Sequence, residues 1–421
     1  MGAINYKSFP ERNILCVDMK SFYASCAAVK QGLDPLTTYL AVVGDLKRDG
    51  SIVLAATPAL KRDYGIKTGN RLFEIPQDDK IIITPAEMNL YLRVSVEVTR
   101  LFNKYVPKED IHTYSVDESF LAVDGVINLW GSAEKIASLI LTELKDTFGL
   151  SAAVGIGPNM LMAKLCLDLE AKHKGIARWT YDDVSKKLWP ISPLSKMWGI
   201  GSRLERTLNQ MGIFTVGELA NYSLKRLEQK FGVMGNQLYY HAHGIDLSEL
   251  GAPILHKQLS YGKSQVLLRD YRTAAEVAVV ILEMSEEVGR RARADRKVGR
   301  TISLGIKYSK HEGGGGFHRS QTIQTPTNLT LEIYKTCMHL FQKFYNDKTV
   351  RQISIALSNI YDDVNVQLQL FEHDRIRERA IDYTVDAIHK KYGSNSLLRA
   401  ISYTKAGTKH KRNKLIGGHF A

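Results

Sequence analysis

Asp18 ends a short apolar run, Ile14-Leu15-Cys16-Val17, and the pair Asp117-Glu118 lies between two others, Ile111–Val116 and Ser119–Val123. Runs of this length, β-branched and flanked by polar residues, read as buried strands, so each acid is delivered at a strand end. Three carboxylates gathered there could hold two hard divalent cations, which take oxygen ligands and keep several waters. Such a pair stabilises both the attacking and the leaving oxygen of an in-line phosphoryl displacement. One geometric condition applies. Neighbouring residues on a regular strand point to opposite faces, so Asp117 and Glu118 share a site only if the chain bends there. Without a bend they are two exposed turn carboxylates.

The elements that must position these acids alternate to about residue 180. Helices are predicted over 21–32, 90–102, 133–147 and 158–172, with a strand over 151–156. Gly44 to Gly69 reads as a short strand followed by a turn-rich basic segment. Residues 181–246 read as a small helical domain punctuated by Gly199, Gly201, Gly212, Gly217 and Gly232. From 256 the order becomes strand (257–268), helix (273–297), two strands (301–308, 318–325), helix (328–346) and strand (350–360). That is a βαββαβ unit, with Gly313–Gly316 as a hairpin tip. The basic C-terminal run KAGTKHKRNKLIGGHFA is expected to be mobile.

The chain has 421 residues, with 57 Lys and Arg against 44 Asp and Glu, a net charge of +13. This length implies several domains, and 44% apolar with 24% charged residues excludes a largely disordered chain. No apolar run approaches the ~18 residues of a membrane span, and the N-terminus lacks an apolar signal segment. Tyr6 stands where a myristoylation signal carries Ser or Thr. Cys16, Cys26, Cys166 and Cys337 form no CxxC pair, which fits buried free thiols in a reducing, cytoplasmic setting. The surplus positive charge makes nucleic acid the first candidate partner; a basic protein kept soluble by its charge is the plainer alternative.

Asp18-Met-Lys-Ser-Phe-Tyr-Ala-Ser25 and Tyr114-Ser-Val-Asp-Glu-Ser-Phe120 resemble the two metal-binding motifs of Y-family lesion-bypass DNA polymerases. The likeness is greatest to the UmuC-like branch, related to DinB, of Gram-positive bacteria and their phages, and it spans residues 10 to about 405. It implies an α+β multidomain fold, a right hand. The α/β palm would be 1–22 and 88–180, small fingers 23–87, a helix-hairpin-helix thumb 181–250, a βαββαβ little finger 256–362, and a tail 363–421. It also implies a cytoplasmic, nucleoid-associated enzyme of the SOS damage response, with primer-template DNA, dNTP and a bacterial sliding clamp as partners and no membrane.

By position, Asp18, Asp117 and Glu118 would be the catalytic acids and the ligands of two Mg²⁺ ions, assisted by the carbonyl of Met19. Many family members carry a second acid where this chain has Lys20, which is not one of the shared ligands. Tyr23 matches the steric gate, whose ring under the sugar leaves no room for a 2′-hydroxyl; Phe22 stands beside it. In Ala55–Gly69, Arg62 occupies the place of a triphosphate-contacting Arg, while the usual Tyr three residues earlier is Ala59, so Lys61 is expected to share that work. Gly155-Ile-Gly-Pro-Asn-Met-Leu-Met-Ala-Lys164 resembles the helix that closes the palm, and Lys172 fits a phosphate-binding Lys if one extra residue is allowed before Ala171.

In the thumb segment, Gly199 and Gly201 open a helix-hairpin-helix whose free amides would take a DNA phosphate. Residues 256–365 carry 17 basic and 11 acidic residues, with Arg293 and Arg296 in the densest basic stretch, suited to salt-dependent, sequence-independent backbone binding. Gln367-Leu-Gln-Leu-Phe371 resembles a clamp-binding pentapeptide, with Gln367, Leu368, Leu370 and Phe371 as its anchors. The expected activity is low-fidelity, DNA-templated addition of dNTPs to a primer 3′-hydroxyl. Two other classes share parts of this pattern: a two-metal nucleotidyl cyclase, and a catalytically idle DNA-binding accessory protein of the same fold.

Overall fold

The computed structural model describes residues 4–251, 259–363 and 373–420. It divides into two compact units, the N-terminal 253 residues with the last three, and residues 254–418.

Unit 1 is organised around a five-stranded sheet. Its strands are β1 (Ile14–Met19), β5 (Ile111–Thr113), β6 (Glu118–Ala122), β7 (Ala152–Gly157) and β8 (Ile176–Arg178), in the order β5-β6-β1-β7-β8. β1 is central and antiparallel to both neighbours. Its continuous apolar run is explained by burial on both faces. Ile14 and Cys16 join a core with helix Met160–Cys166, and Leu15 and Val17 are equally buried. Gly155 and Gly157 let that helix press on β7. A Cβ at either would stand 2.3 or 2.4 Å from helix backbone, so the Gly-x-Gly spacing is a packing requirement.

The segment between β1 and β5 departs from the expected single strand. It holds β2 (Leu40–Val43), β3 (Val53–Ala56) and β4 (Ile82–Pro85) as a mixed sheet, order β3-β2-β4, with helix Pro58–Tyr64. Four-residue strands are too short to impose a period on the sequence. Farther along, helices Ser202–Gln210, Val216–Ala220, Leu224–Phe231 and Val233–Ala242 follow, and their core is continuous with that of helix Met160–Cys166.

Unit 2 has the expected element order: β9 (Tyr261–Tyr271), helix Ala274–Ala294, β10 (Lys297–Tyr308), β11 (Gly316–Thr327), helix Thr330–Phe344 and β12 (Val350–Asp362). The sheet is wholly antiparallel, β11-β10-β12-β9. Thr273 and Glu276 form a capping box at the start of the long helix.

The C-terminal segment corrects an expectation. Up to Gly418 it packs on unit 2 instead of standing free: the Tyr271 hydroxyl donates to the Ala406 carbonyl at 2.7 Å, and Thr408 is buried with its amide and hydroxyl on Glu283. Helix His373–Tyr392 precedes it. The pentapeptide 367–371 lies outside the described residues.

Candidate active site

The two acids on neighbouring strands stand opposite one another. Asp18 and Glu118 are register partners across β1 and β6, and directly opposed residues of an antiparallel pair share a face. Asp117 lies just before β6, in the bend that the sequence required. There the amides of Tyr114 and Ser115 both donate to the Glu118 carbonyl at 3.0 Å. The amide of Met19, last residue of β1, donates to the Asp117 carbonyl at 2.9 Å, and Ser115 Oγ to Asp117 Oδ1 at 2.6 Å. The bend is thus fixed to the end of β1 on one side and braced by a hydroxyl on the other.

Side-by-side carboxylates in a partly buried site need compensating charge. Lys164, on helix Met160–Cys166 and nearly buried, donates to Glu118 Oε2 at 2.8 Å and pairs with Asp168 at 3.2 Å. Lys172 continues the ladder, 2.7 Å from Asp168 and 3.2 Å from Asp18. The Cys16 thiol, on the same face of β1 as Asp18, lies 3.2 Å from Glu118 Oε1. Burial raises the Asp18 carboxyl above its ordinary range, and Lys172 pulls it back. For Lys164, burial opposes the ammonium, but Glu118 and Asp168 outweigh it and leave its pKa raised. Among the described residues no three His, Cys, Asp or Glu side chains converge as a ready-made metal cluster.

How Lys172 reaches Asp18 is decided by one turn of backbone. Residues Leu167–Ala171 form a π-helical turn between Met160–Cys166 and Lys172–Lys174. A π turn absorbs a single added residue within an α-helix. The extra residue noted between Lys164 and Ala171 is accommodated there, and the side chain after it stays aimed at the site. Glu170 in the same turn accepts from Lys174 (2.8 Å), Trp179 Nε1 (2.7 Å) and Lys187 (3.2 Å), which hold its carboxyl down at about 2.

Tyr23 opens helix Phe22–Lys30 and is half-buried, its ring stacked on Tyr91 at 4.4 Å with 16° between planes. Its hydroxyl pKa is raised by burial and then by the charge of Asp117. Ser21, before it, adopts a left-handed conformation (φ 50°) and accepts from Lys61 Nζ at 2.8 Å. Lys61's own pKa is lowered by burial, with Asp18 and Lys172 both near enough to act on it.

The structure therefore gathers Asp18, Met19, Asp117, Glu118, Tyr23, Lys61 and Lys172. The other candidates are placed as follows. Phe22 is 3% exposed, its ring against that of Tyr23. Arg62 is exposed and bidentate to its neighbour Asp63, at 2.7 and 2.9 Å, while Lys61, also exposed, reaches Ser21. Arg293 is buried and paired with Asp382 and Asp386 within unit 2. Arg296, at a left-handed turn (φ 53°), is exposed. Gly199 has φ 92°, and Gly201 caps helix Ser202–Gln210 without a side-chain bond, in open space. Lys164, Asp168 and Tyr91 were not anticipated. The Lys164-Asp168-Lys172 spacing of four is a readable signal of an alternating-charge ladder; Tyr91 has none beyond its helical pattern.

With this geometry in place, comparison with known proteins is informative. The impB/mucB/samB family model matches residues 17–168, that family's C-terminal domain matches 258–370, and the DNA polymerase-iota thumb domain matches 195–246. The chain belongs to this family, the UmuC-like part of the Y-family, and is a DNA-directed DNA polymerase with a right-hand fold. Among its relatives is UvrX of Bacillus subtilis (strain 168), whose name refers to UV-damage repair, 60% identical over 99% of both chains. DNA polymerase IV 2 of the same organism is 35% identical over 97% of this chain and 99% of its own. A solved Y-family DNA polymerase chimera of Dbh and Dpo4 superposes with a TM-score of 0.65 at 21% identity, covering 83% of this chain and 99% of its own. Among the described residues no helix is long and apolar enough to cross a membrane.

Proposed function

We propose that the chain is a translesion DNA polymerase, adding dNTPs to a primer 3′-hydroxyl opposite damaged template bases with low fidelity. The observation that carries the reading is the register pairing of Asp18 with Glu118, with Asp117 in the adjoining bend. The donor set is all oxygen and sits on strand ends, which fits hard divalent cations. Asp18, Asp117, Glu118 and the Met19 carbonyl would hold two Mg²⁺. When bound, these cations lower the charge on the triphosphate and favour the attacking alkoxide.

The chain's own residues do the positioning, which is most of the catalysis in phosphoryl transfer. Lys164 fixes Glu118 and keeps two adjacent carboxylates tolerable. Lys172 and Lys61 provide compact positive charge beside the acids, suited to phosphate oxygens. Tyr23, backed by Tyr91, presents a ring edge where a ribose 2′-hydroxyl would sit. The uncapped N-terminus beginning at Gly201 suits a template or primer phosphate, and residues 367–371 would bind the sliding clamp.

Primer extension on a template carrying a single cyclobutane pyrimidine dimer tests the lesion-bypass part. Full-length product past the dimer is expected. Extension that proceeds on undamaged template but stops quantitatively at the dimer would restrict the enzyme to ordinary synthesis.

A further inference from the structure

Helix Ala274–Ala294, helix His373–Tyr392 and the segment 394–415 enclose a groove of about 920 Å³, wholly within unit 2. Two of its walls lie beyond residue 370, where the last family match ends. The polymerase chemistry above makes no use of it.

The walls are fastened by charge. Arg293 holds Asp382 at 3.1 Å and Asp386 at 2.6 Å, tying one helix to the other. Glu286 takes Arg399 at 2.5 Å and Lys409 at 2.6 Å, which secures the C-terminal segment. Glu287 is taken by Arg290 at 2.9 Å. All four acids lining the groove are therefore neutralised. Three lining cations, Lys263, Lys390 and Arg412, make no ion pair among the described residues. The Arg412 guanidinium instead uses neutral acceptors, Gln265 Oε1 at 2.8 Å and the Glu283 carbonyl at 3.4 Å. Lys263 stands two residues before Gln265 on the same face of β9, so both charges border one corner. Burial lowers the pKa of each and Arg412 lowers that of Lys263 further, while Glu287 acts the other way on Lys263, and Glu283, Glu287 and Glu286 on Arg412, without reversing either shift.

Beside this under-compensated corner the wall is apolar. Ile381 and Leu397 both line the groove and are 48% and 42% exposed. Partly buried positive charge next to bare apolar surface costs free energy that a complementary ligand would recover.

We propose that the groove docks an acidic, apolar-bearing peptide segment of a partner protein. Its carboxylates meet Lys263, Lys390 and Arg412, and its aliphatic or aromatic side chains cover Ile381 and Leu397. A lone phosphate would fill one corner of the volume and leave the apolar wall bare. A nucleic-acid backbone would bring charge with no apolar group to match that wall. This proposal does not depend on the metal-centre reading, because no residue is shared.

The test is selection of a random peptide display library on the full-length protein, followed by fluorescence anisotropy of labelled winners. Enriched peptides are expected to combine Asp or Glu with Leu, Ile or Phe. They should lose about tenfold affinity or more against Lys263→Glu/Lys390→Glu. Ile381→Asp probes the apolar wall separately and should weaken binding to a similar degree. Arg412 is spared because its burial makes a folding defect a confounding outcome; unchanged thermal unfolding and primer extension certify the other variants. The proposal is overturned by no enrichment, by enriched peptides lacking acidic residues, or by affinity retained in both variants. Displacement of the peptide by equimolar ATP or pyrophosphate would reassign the groove to phosphate ligands and overturn it as well.

Discussion

At the scale of single residues, the site combines groups that repel with groups that restrain them. Asp18 and Glu118 face each other across two strands, and Lys164 and Lys172 keep that arrangement affordable. Tyr23 is restrained by stacking on Tyr91, so the sugar selectivity proposed for it would rest on ring volume and on Tyr91 behind it. Tyr23→Ala should raise ribonucleotide incorporation by roughly a hundredfold, the order expected when a close steric contact is removed. Single-turnover incorporation of rNTP against dNTP measures it, and unchanged discrimination would reject the gate. Glu170 gives a pH signature. Its carboxyl is held at about 2 in the folded chain, against ~4.3 when unfolded. A depressed folded pKa contributes stability that is full above the unfolded value and is lost as pH falls toward the folded one. Glu170→Gln should therefore cost about 2 kcal/mol at neutral pH, an amount tempered by its partial exposure. The gap from the native chain should close between about pH 4.5 and 2. Urea unfolding across that range checks the sign, and a constant gap would contradict it.

At the scale of elements, what could be read from the sequence and what could not divide along physical lines. β1, β6 and the βαββαβ order were legible because period-2 and period-3.6 patterns are local. The bend at Asp117 was legible as a requirement, since two adjacent acids cannot otherwise share a face. The π turn was visible only as a spacing anomaly between Lys164 and Ala171, because its register depends on the helix packing against Gly155 and Gly157. The ion pairs of Arg62 and Arg293 were not legible for a related reason: a basic residue's direction is set by its acid partner, and Asp382 lies 89 residues from Arg293. The π turn also makes a prediction. Deleting Leu169, which is exposed within it, should let the segment close as an ordinary α-helix with Lys172 still directed at Asp18. The KM for dNTP should change by no more than about threefold. A rise of tenfold or more would mean that the π geometry itself places the lysine.

At the scale of the whole molecule, a basic, glycine-containing C-terminus reads as a solvated tail because nothing within it provides a core. Its partners are Glu283 and Glu286, more than a hundred residues earlier, and they convert it into a wall of unit 2. Truncation after Ser396 would strip Thr408 from Glu283, which is 1% exposed. A buried carboxylate left without partners costs about 3–5 kcal/mol. Calorimetry should show a lowered transition for unit 2, and an unaltered profile would refute the role given to these contacts. The net charge of +13 has a matching division: basic residues hold the chain together and suit a polyanion, while the proposed chemistry is assigned to a few acids on two strands. That assignment of chemistry is the central claim, and primer extension with dNTPs and Mg²⁺ tests it most directly. The native chain should extend a primed template, and Asp117→Ala/Glu118→Ala, folded as judged by circular dichroism, should reduce the rate by at least about a thousandfold. Comparable extension by both proteins would show that the bond is made somewhere other than at the end of β1 and β6.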